Sequence, residues 1–200
     1  MNKETTLPQE DKKKDPLRDL YDFFEMFAIA ACVILVLFAL LSRLSVVEGT
    51  SMEKTLLEGD RLIVSDLFYT PERGDVVVIH SPLVNRGEAI VKRVIATEGD
   101  TVSIRPDGVY VYAADGTGGK LEETDGSLGY TVDFSTPYSS STSYTYTPMT
   151  ITVGNGEVFV LGDHRSVSYD SRAFGCVDVR TIVGRVYFRV YPFSSLGVIH

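Results

Sequence analysis

The sequence predicts a mainly β protein: one N-terminal transmembrane helix, then an antiparallel β-barrel or folded sheet. Three observations carry this. Met26 to Leu41 (MFAIAACVILVLFALL) is sixteen residues without a polar side chain. Beyond it, apolar residues fall in short runs broken by Gly, Pro and Asp, the punctuation of strands and turns. No segment after the oily run repeats at helical period, so sheets must bury one another.

The elements follow in chain order. Residues 1–22 mix Lys with Asp and Glu and have few apolar side chains, a composition that predicts a disordered cytoplasmic tail. Residues 23–44 hold the anchor. Phe23 to Ser42 is twenty residues, roughly 30 Å of helix at about 1.5 Å per residue, the thickness of the hydrocarbon core. A cleaved signal peptide fits poorly, because the preceding segment is long and Arg43 stands where a small residue would be needed. A buried core helix fits poorly too, since no neighbouring segment is long or amphipathic enough to enclose it. Five basic residues precede the span (Lys3, Lys12, Lys13, Lys14, Arg18) and three follow closely (Arg43, Lys54, Arg61). That bias predicts a cytoplasmic N-terminus and an extracytoplasmic domain at 45–200.

Within 45–200, strands are expected at Arg61–Tyr69, Asp75–His80, Glu88–Ala96, Thr101–Ile104, Gly108–Tyr112, Thr150–Val153, Glu157–Leu161 and Ile182–Tyr191. Residues 113–149, rich in Gly, Ser, Thr and Tyr, read as a variable insert: a long surface excursion, or a flap or partner-contacting hairpin. The net charge of −8 argues against a nucleic-acid partner. Cys32 and Cys176 fall in different solvents, so no disulfide is expected between them. No Cys, His or Asp set has ligand spacing, so no metal and no organic cofactor is expected.

Gly-Thr-Ser-Met (Gly49–Met52) lies a few residues beyond the anchor. A serine in such a context is ordinarily a turn residue. To be a nucleophile it needs a neighbour that takes its proton. Lys92 lies in Glu88–Ala96, where alternation puts Ile90, Lys92, Val94 and Ala96 on one face and Val91, Arg93 and Ile95 on the other. Both faces are mostly apolar. A strand lysine can reach out to solvent along its stem. If instead it is buried, its ammonium is disfavoured and its pKa falls from about 10.4 toward the range of a usable general base.

The ordered motifs resemble the type I signal peptidases, in the single-anchor form typical of Gram-positive bacteria. They are the anchor, GTSMEKTL, LEGDRLIV, PERGDVVV, VKRVIATEGD and GDHRSVSYDSRAFG. The resemblance covers roughly Phe24–Ala113 and Val158–Tyr191. It implies a signal-peptidase-type β catalytic domain that removes signal peptides from secreted preproteins, cutting after small residues at positions −3 and −1. It implies Ser51 as nucleophile, Lys92 as general base and Ser168 as the hydroxyl that orients the lysine. Asp163, Arg165, Asp170 and Arg172 would brace that loop, chiefly by ion pairs. Met52 would contact the substrate, with Val47, Leu56 and Val91 as further pocket residues. The implied partners are signal-peptide-bearing preproteins and the lipid bilayer, with a secretion translocon as a further candidate.

There are departures from the pattern. Gly49 stands where some members carry a hydroxyl that assists the oxyanion hole, so any second donor beside the Ser51 N–H must be another group, with backbone or water as candidates. Lys54 stands where the family usually has proline, and His164 where it usually has asparagine; neither position is expected to carry the chemistry. Self-cleaving SOS repressors share a Ser/Lys dyad but need a DNA-binding domain. A Ser-His-Asp set using His80 or His164 has no motif behind it, and a sortase-like role for Cys176 lacks the strand motif. A tethered β module that only binds would not need Ser51, Lys92 and Ser168 in three separate motifs.

Overall fold

The computed structural model describes residues 16–53, 55–82, 84, 87–105, 108–121 and 148–199. The expected disordered tail up to residue 15, most of the 113–149 insert, Lys54 and His200 lie outside them. Two units are described, one ending at Leu40 and the other running from Leu41.

The described residues of the first unit belong to helix α1, Pro16–Leu41, whose last residue opens the second. It begins seven residues earlier than the apolar pattern predicts. Pro16 suits a first helical position, where its missing N–H costs nothing, and Leu17 to Asp22 continue the backbone ladder although polar side chains are present. Residues 17–37 are long and apolar enough to cross a membrane. The helix stops at Leu41 rather than residue 44, because Arg43–Val46 is already a strand, β1.

The second unit is built on two antiparallel sheets. The further strands are β2 (Arg61–Ser65), β3 (Val76–Ile79), β4 (Ile90–Thr97), β5 (Thr101–Arg105), β6 (Gly108–Tyr112), β7 (Gly118–Lys120), β8 (Met149–Thr152), β9 (Glu157–Leu161), β10 (Val177–Asp178), β11 (Ile182–Tyr191) and β12 (Gly197–Val198). One sheet runs β1-β2-β11-β3-β4-β9-β10, with β12 paired to β11; the other runs β7-β6-β5-β8. All eight expected strands are present, with boundaries shifted at five of them. The largest change is at β2, which ends at Ser65 where Tyr69 was expected; Phe68 beyond it has a positive φ. The four strands not foreseen are short or edge pieces (β1, β7, β10, β12) that carry little apolar pattern of their own. The described ends of the insert are β7 and β8, which lie at opposite edges of the smaller sheet.

Aliphatic side chains fill three buried clusters. One gathers Val47, Met52, Leu56, Leu62, Val64, Val76 and Val78 around the segment between β1 and β2. A second joins Ile95 and Ala96 to Val102, Ile104, Val109 and Phe159. A third holds Val77, Ile79, Val94, Val158 and Val160. Each such side chain removed from water contributes about 1.5–3 kcal/mol before entropy is counted.

β4 lies between β3 and β9, so neither of its edges is free. Its register slips between Val94 and Ala96. The simple alternation expected along it therefore fails at that point. Val94 packs in the third cluster, whereas Ile95 and Ala96 both pack in the second.

Candidate active site

The segment carrying Ser51 is a turn that closes on itself. Gly49 opens it at φ +79°, a conformation that glycine adopts without strain. The Glu53 N–H donates to the Thr50 carbonyl (3.1 Å), and the Leu56 N–H to the Met52 carbonyl (2.8 Å). Met52 and Leu56 are buried on the core side, which fixes the turn and leaves Ser51 partly exposed.

Lys92 reaches this serine from β4. Its Nζ lies 2.7 Å from Ser51 Oγ and donates to the Val91 carbonyl at 2.9 Å. The residue is 3% exposed. Burial, the largest influence, pushes the amine down from 10.5 to about 8. The carboxylates of Asp170 and Asp163 pull it back up, and the Arg172 guanidinium opposes them.

The loop after β9 wraps the other side. Gly162 is the close-approach point: a Cβ there would overlap Ser168 Oγ, Ser168 Cβ and the Ser51 carbonyl oxygen. The fully buried Ser168 hydroxyl and the Ser51 backbone thus crowd the same glycine. Asp170 accepts from the Gly162 N–H (3.1 Å) and pairs with Arg172 (Nε to Oδ1, 2.7 Å). The Arg172 guanidinium also donates to the carbonyls of Arg165 (2.7 Å) and Ser168 (3.3 Å). Arg165 Nε donates to the Gly162 carbonyl at 2.8 Å. That bond ties the Arg165 side chain to the backbone at the start of the loop. Asp170 additionally caps the short helix α2, Ser171–Phe174.

Asp163 turns toward β4. It takes a two-pronged ion pair from Arg93 (2.9 and 2.7 Å) and a hydrogen bond from the Thr55 hydroxyl (2.6 Å). Arg93 is fully buried and also donates to the Gly74 carbonyl. Removing one member of such a pair leaves an uncompensated buried charge, at a cost of about 3–5 kcal/mol. The carboxyl end of the serine turn is held separately by Arg189, which donates to the Thr55 carbonyl (3.1 Å) and pairs with Asp60 (2.9 Å).

A cleft of about 550 Å³ opens beside the pair, with Val46, Gly49, Ser51, Val78, Val91 and Lys92 among its lining. Of the four residues expected to meet substrate, only Val91 lines it. Val47, Met52 and Leu56 are at most 2% exposed and belong to the core behind the serine turn, so in this structure they shape the site without facing it.

The alternative nucleophiles and bases are separated by the same geometry. His164 places its Nδ1 near the Thr50 carbonyl and the Glu53 carboxylate, while Ser51 Oγ is met by the lysine. His80 is exposed at the end of β3. The Cys176 thiol is pushed up to about 11 by burial and by Glu157, which leaves it a poor nucleophile. Among the described residues, no group of three or more His, Cys, Asp and Glu is arranged to hold a metal ion.

Sequence reasoning missed Arg93, Thr55, Asp60, Arg189 and Gly162. Arg93 left a signal, as a second charge in a strand with no polar face. Thr55, Asp60 and Arg189 act through backbone carbonyls and carboxylates distant in sequence, which no local pattern reports.

Comparison with known proteins finds relatives along most of the chain. A signal peptidase IB of Staphylococcus aureus (strain Mu50 / ATCC 700699) is 33% identical over 187 residues, covering 89% of this chain and 93% of that one. A signal peptidase I of Bacillus caldolyticus is 38% identical over 182 residues, covering 84% and 90%. A crystal structure of a signal peptidase I from Enterococcus faecalis V583 is similar at 28% identity and a TM-score of 0.40, over 58% of this chain and 97% of that one. The family model described as signal peptidase, peptidase S26, matches residues 20–191, and the chain belongs to that family.

Proposed function

We propose that this protein is a membrane-anchored serine endopeptidase that removes signal peptides from preproteins with a Ser51/Lys92 dyad. The observation that carries the proposal is the 2.7 Å approach of Lys92 Nζ to Ser51 Oγ by a lysine 3% exposed. A hydroxyl alone is a weak nucleophile near neutral pH. An amine brought down to about 8 is neutral in a useful fraction of molecules and lies within reach of the proton it must take.

In the proposed reaction neutral Lys92 accepts the Ser51 proton as Oγ attacks the scissile carbonyl. The tetrahedral oxyanion is met by the Ser51 N–H. The lysine then gives its proton to the leaving amine. Water, activated by the same amine, releases the acyl-enzyme. Ser168 holds the lysine side of the site, together with the buried loop that Asp163, Arg165, Asp170 and Arg172 brace. The aliphatic lining at Val46, Val78 and Val91 supports selection of small residues at positions −3 and −1. The helix supports attachment to the bilayer, and the basic bias of the N-terminal segment supports a cytoplasmic tail with the catalytic unit on the far side. A substrate inserted in the same bilayer, near a secretion translocon, would then meet the site without a three-dimensional search.

The test is cleavage of a secretory preprotein in detergent by the full chain and its variants. Ser51→Ala and Lys92→Ala are expected to abolish product, while the double variant His80→Ala/Cys176→Ala retains it. Product from folded Lys92→Ala would require a different base and overturn the dyad.

A further inference from the structure

We propose that His164 is a positioning residue for the reaction above, clamping the peptide planes on both sides of Ser51 so that the Ser51 N–H stays aimed at the oxyanion. The inference rests on the Ser51/Lys92 reading.

Two planes flank the Ser51 Cα. The first contains the Thr50 carbonyl and the Ser51 N–H, which point in opposite directions across a trans peptide. The second contains the Ser51 carbonyl. His164 touches both. Its backbone N–H donates to the Ser51 carbonyl at 3.0 Å. Its ring Nδ1 lies 3.2 Å from the Thr50 carbonyl. Holding the two planes fixes φ and ψ of Ser51, and with them the direction of its N–H and of the bond from which its side chain starts.

The ring's protonation follows from its partners. Nδ1 also lies 2.9 Å from Glu53 Oε2. A carbonyl and a carboxylate are both acceptors, so Nδ1 must carry a hydrogen and share it between them. Glu53 thus holds the ring over the turn, as an orienting carboxylate does for other histidines.

The turn needs this second anchor. The Thr50 carbonyl also accepts from the Glu53 N–H (3.1 Å), a bond internal to the turn that moves with it. Before Thr50 stands Gly49 at φ +79°, with nothing within 4 Å of where a Cβ would lie. Glycine leaves the preceding plane free to rotate. The ring of His164 ties the next plane, Thr50–Ser51, to the loop after Gly162 that Asp170 and Arg172 brace. Any residue but proline at 164 supplies the backbone N–H, but only one with a side-chain donor supplies the other half of the clamp.

The test compares the full chain with His164→Ala, His164→Leu and His164→Asn in steady-state cleavage of one preprotein across pH. Leucine keeps bulk without a donor, and asparagine restores a donor. Outright loss of an oxyanion donor costs about 10²–10³ in kcat, so loosening one is expected to cost about tenfold. Alanine and leucine should both lower kcat by about that factor with KM within about twofold, and asparagine should recover most of it. The apparent pKa of the profile should stay where the wild type has it, because the lysine is untouched. Wild-type kcat in the alanine and leucine variants would overturn the clamp, as would an asparagine variant no better than alanine at equal melting temperature. A shifted profile would also overturn it, since the ring would then be acting on the base. Ser51→Ala in the same series separates the two ideas. If it stays active, the dyad falls; if it is inactive while His164→Ala matches wild type, only the clamp falls.

Discussion

The burial of Lys92 costs the folded state stability. An amine moved from 10.5 to about 8 costs the folded state on the order of 3 kcal/mol wherever both states are protonated, that is, below about pH 8. Between about 8 and 10.5 the unfolded chain holds the proton and the folded chain does not, so stability rises with pH across that window. Lys92→Met keeps the stem and removes the charge. It is expected to be inactive, to raise stability at pH 7 by about 1–3 kcal/mol in urea titrations, and to lose the extra stability that the wild type gains between pH 7 and 9.5. Wild-type activity should rise with pH through an apparent pKa near 8, since only the neutral amine accepts the proton. An acid-side limb centred well below 7, or a Met variant less stable than wild type at pH 7, would contradict a desolvated lysine.

At the scale of elements, the site exists because three segments meet: the serine turn, β4 and the loop after β9. Gly162 is the tightest joint, with Ser168 and the Ser51 carbonyl where its Cβ would be. Gly162→Ala must therefore push the loop away from the turn. A loss of about 1–3 kcal/mol by thermal or chemical melting is expected, with a fall in kcat larger than the change in KM. Gly119→Ala in β7 has open space and should change neither. An unaltered Gly162→Ala enzyme would show the joint to be slack. Much of this meeting was legible beforehand. Ser51, Lys92, Ser168 and the four bracing residues stood in ordered motifs, and the structure brings them into one neighbourhood. What was not legible depends on contacts across the sheet. Arg93 and Lys92 differ by one position, yet one pairs with Asp163 and the other meets Ser51. The local alternation that separated them says nothing about which partner each face meets. The burial of Met52, Val47 and Leu56 was not legible for the same reason: a motif gives proximity to the nucleophile, while burial on the core side depends on β2 and β3 packing behind it.

For the whole molecule, the catalytic unit has the means to fold without the helix. Among the described residues, its three clusters draw on Val47 and later positions, and its sheet begins with β1 at Arg43. Ser51, Lys92, the bracing loop and the described cleft lining are all residues of the second unit. The helix's proposed contribution is therefore to concentrate enzyme and substrate on one surface. A chain starting at Ser42 is expected to fold to the same β unit in mild detergent, shown by an unchanged β signature in circular dichroism. It should cleave a short soluble peptide with kcat/KM within about threefold of the full chain, because no catalytic contact is lost. Against a preprotein inserted in vesicles the full chain should be faster by about 10² or more at low enzyme concentration, the gain expected when a bimolecular encounter becomes confined to a surface. The difference should shrink as the truncated enzyme's concentration is raised, since concentration substitutes for tethering. If the truncated chain instead lost activity on the soluble peptide while still folded, the helix would be contributing to the site itself, and the division between anchor and catalyst would be wrong.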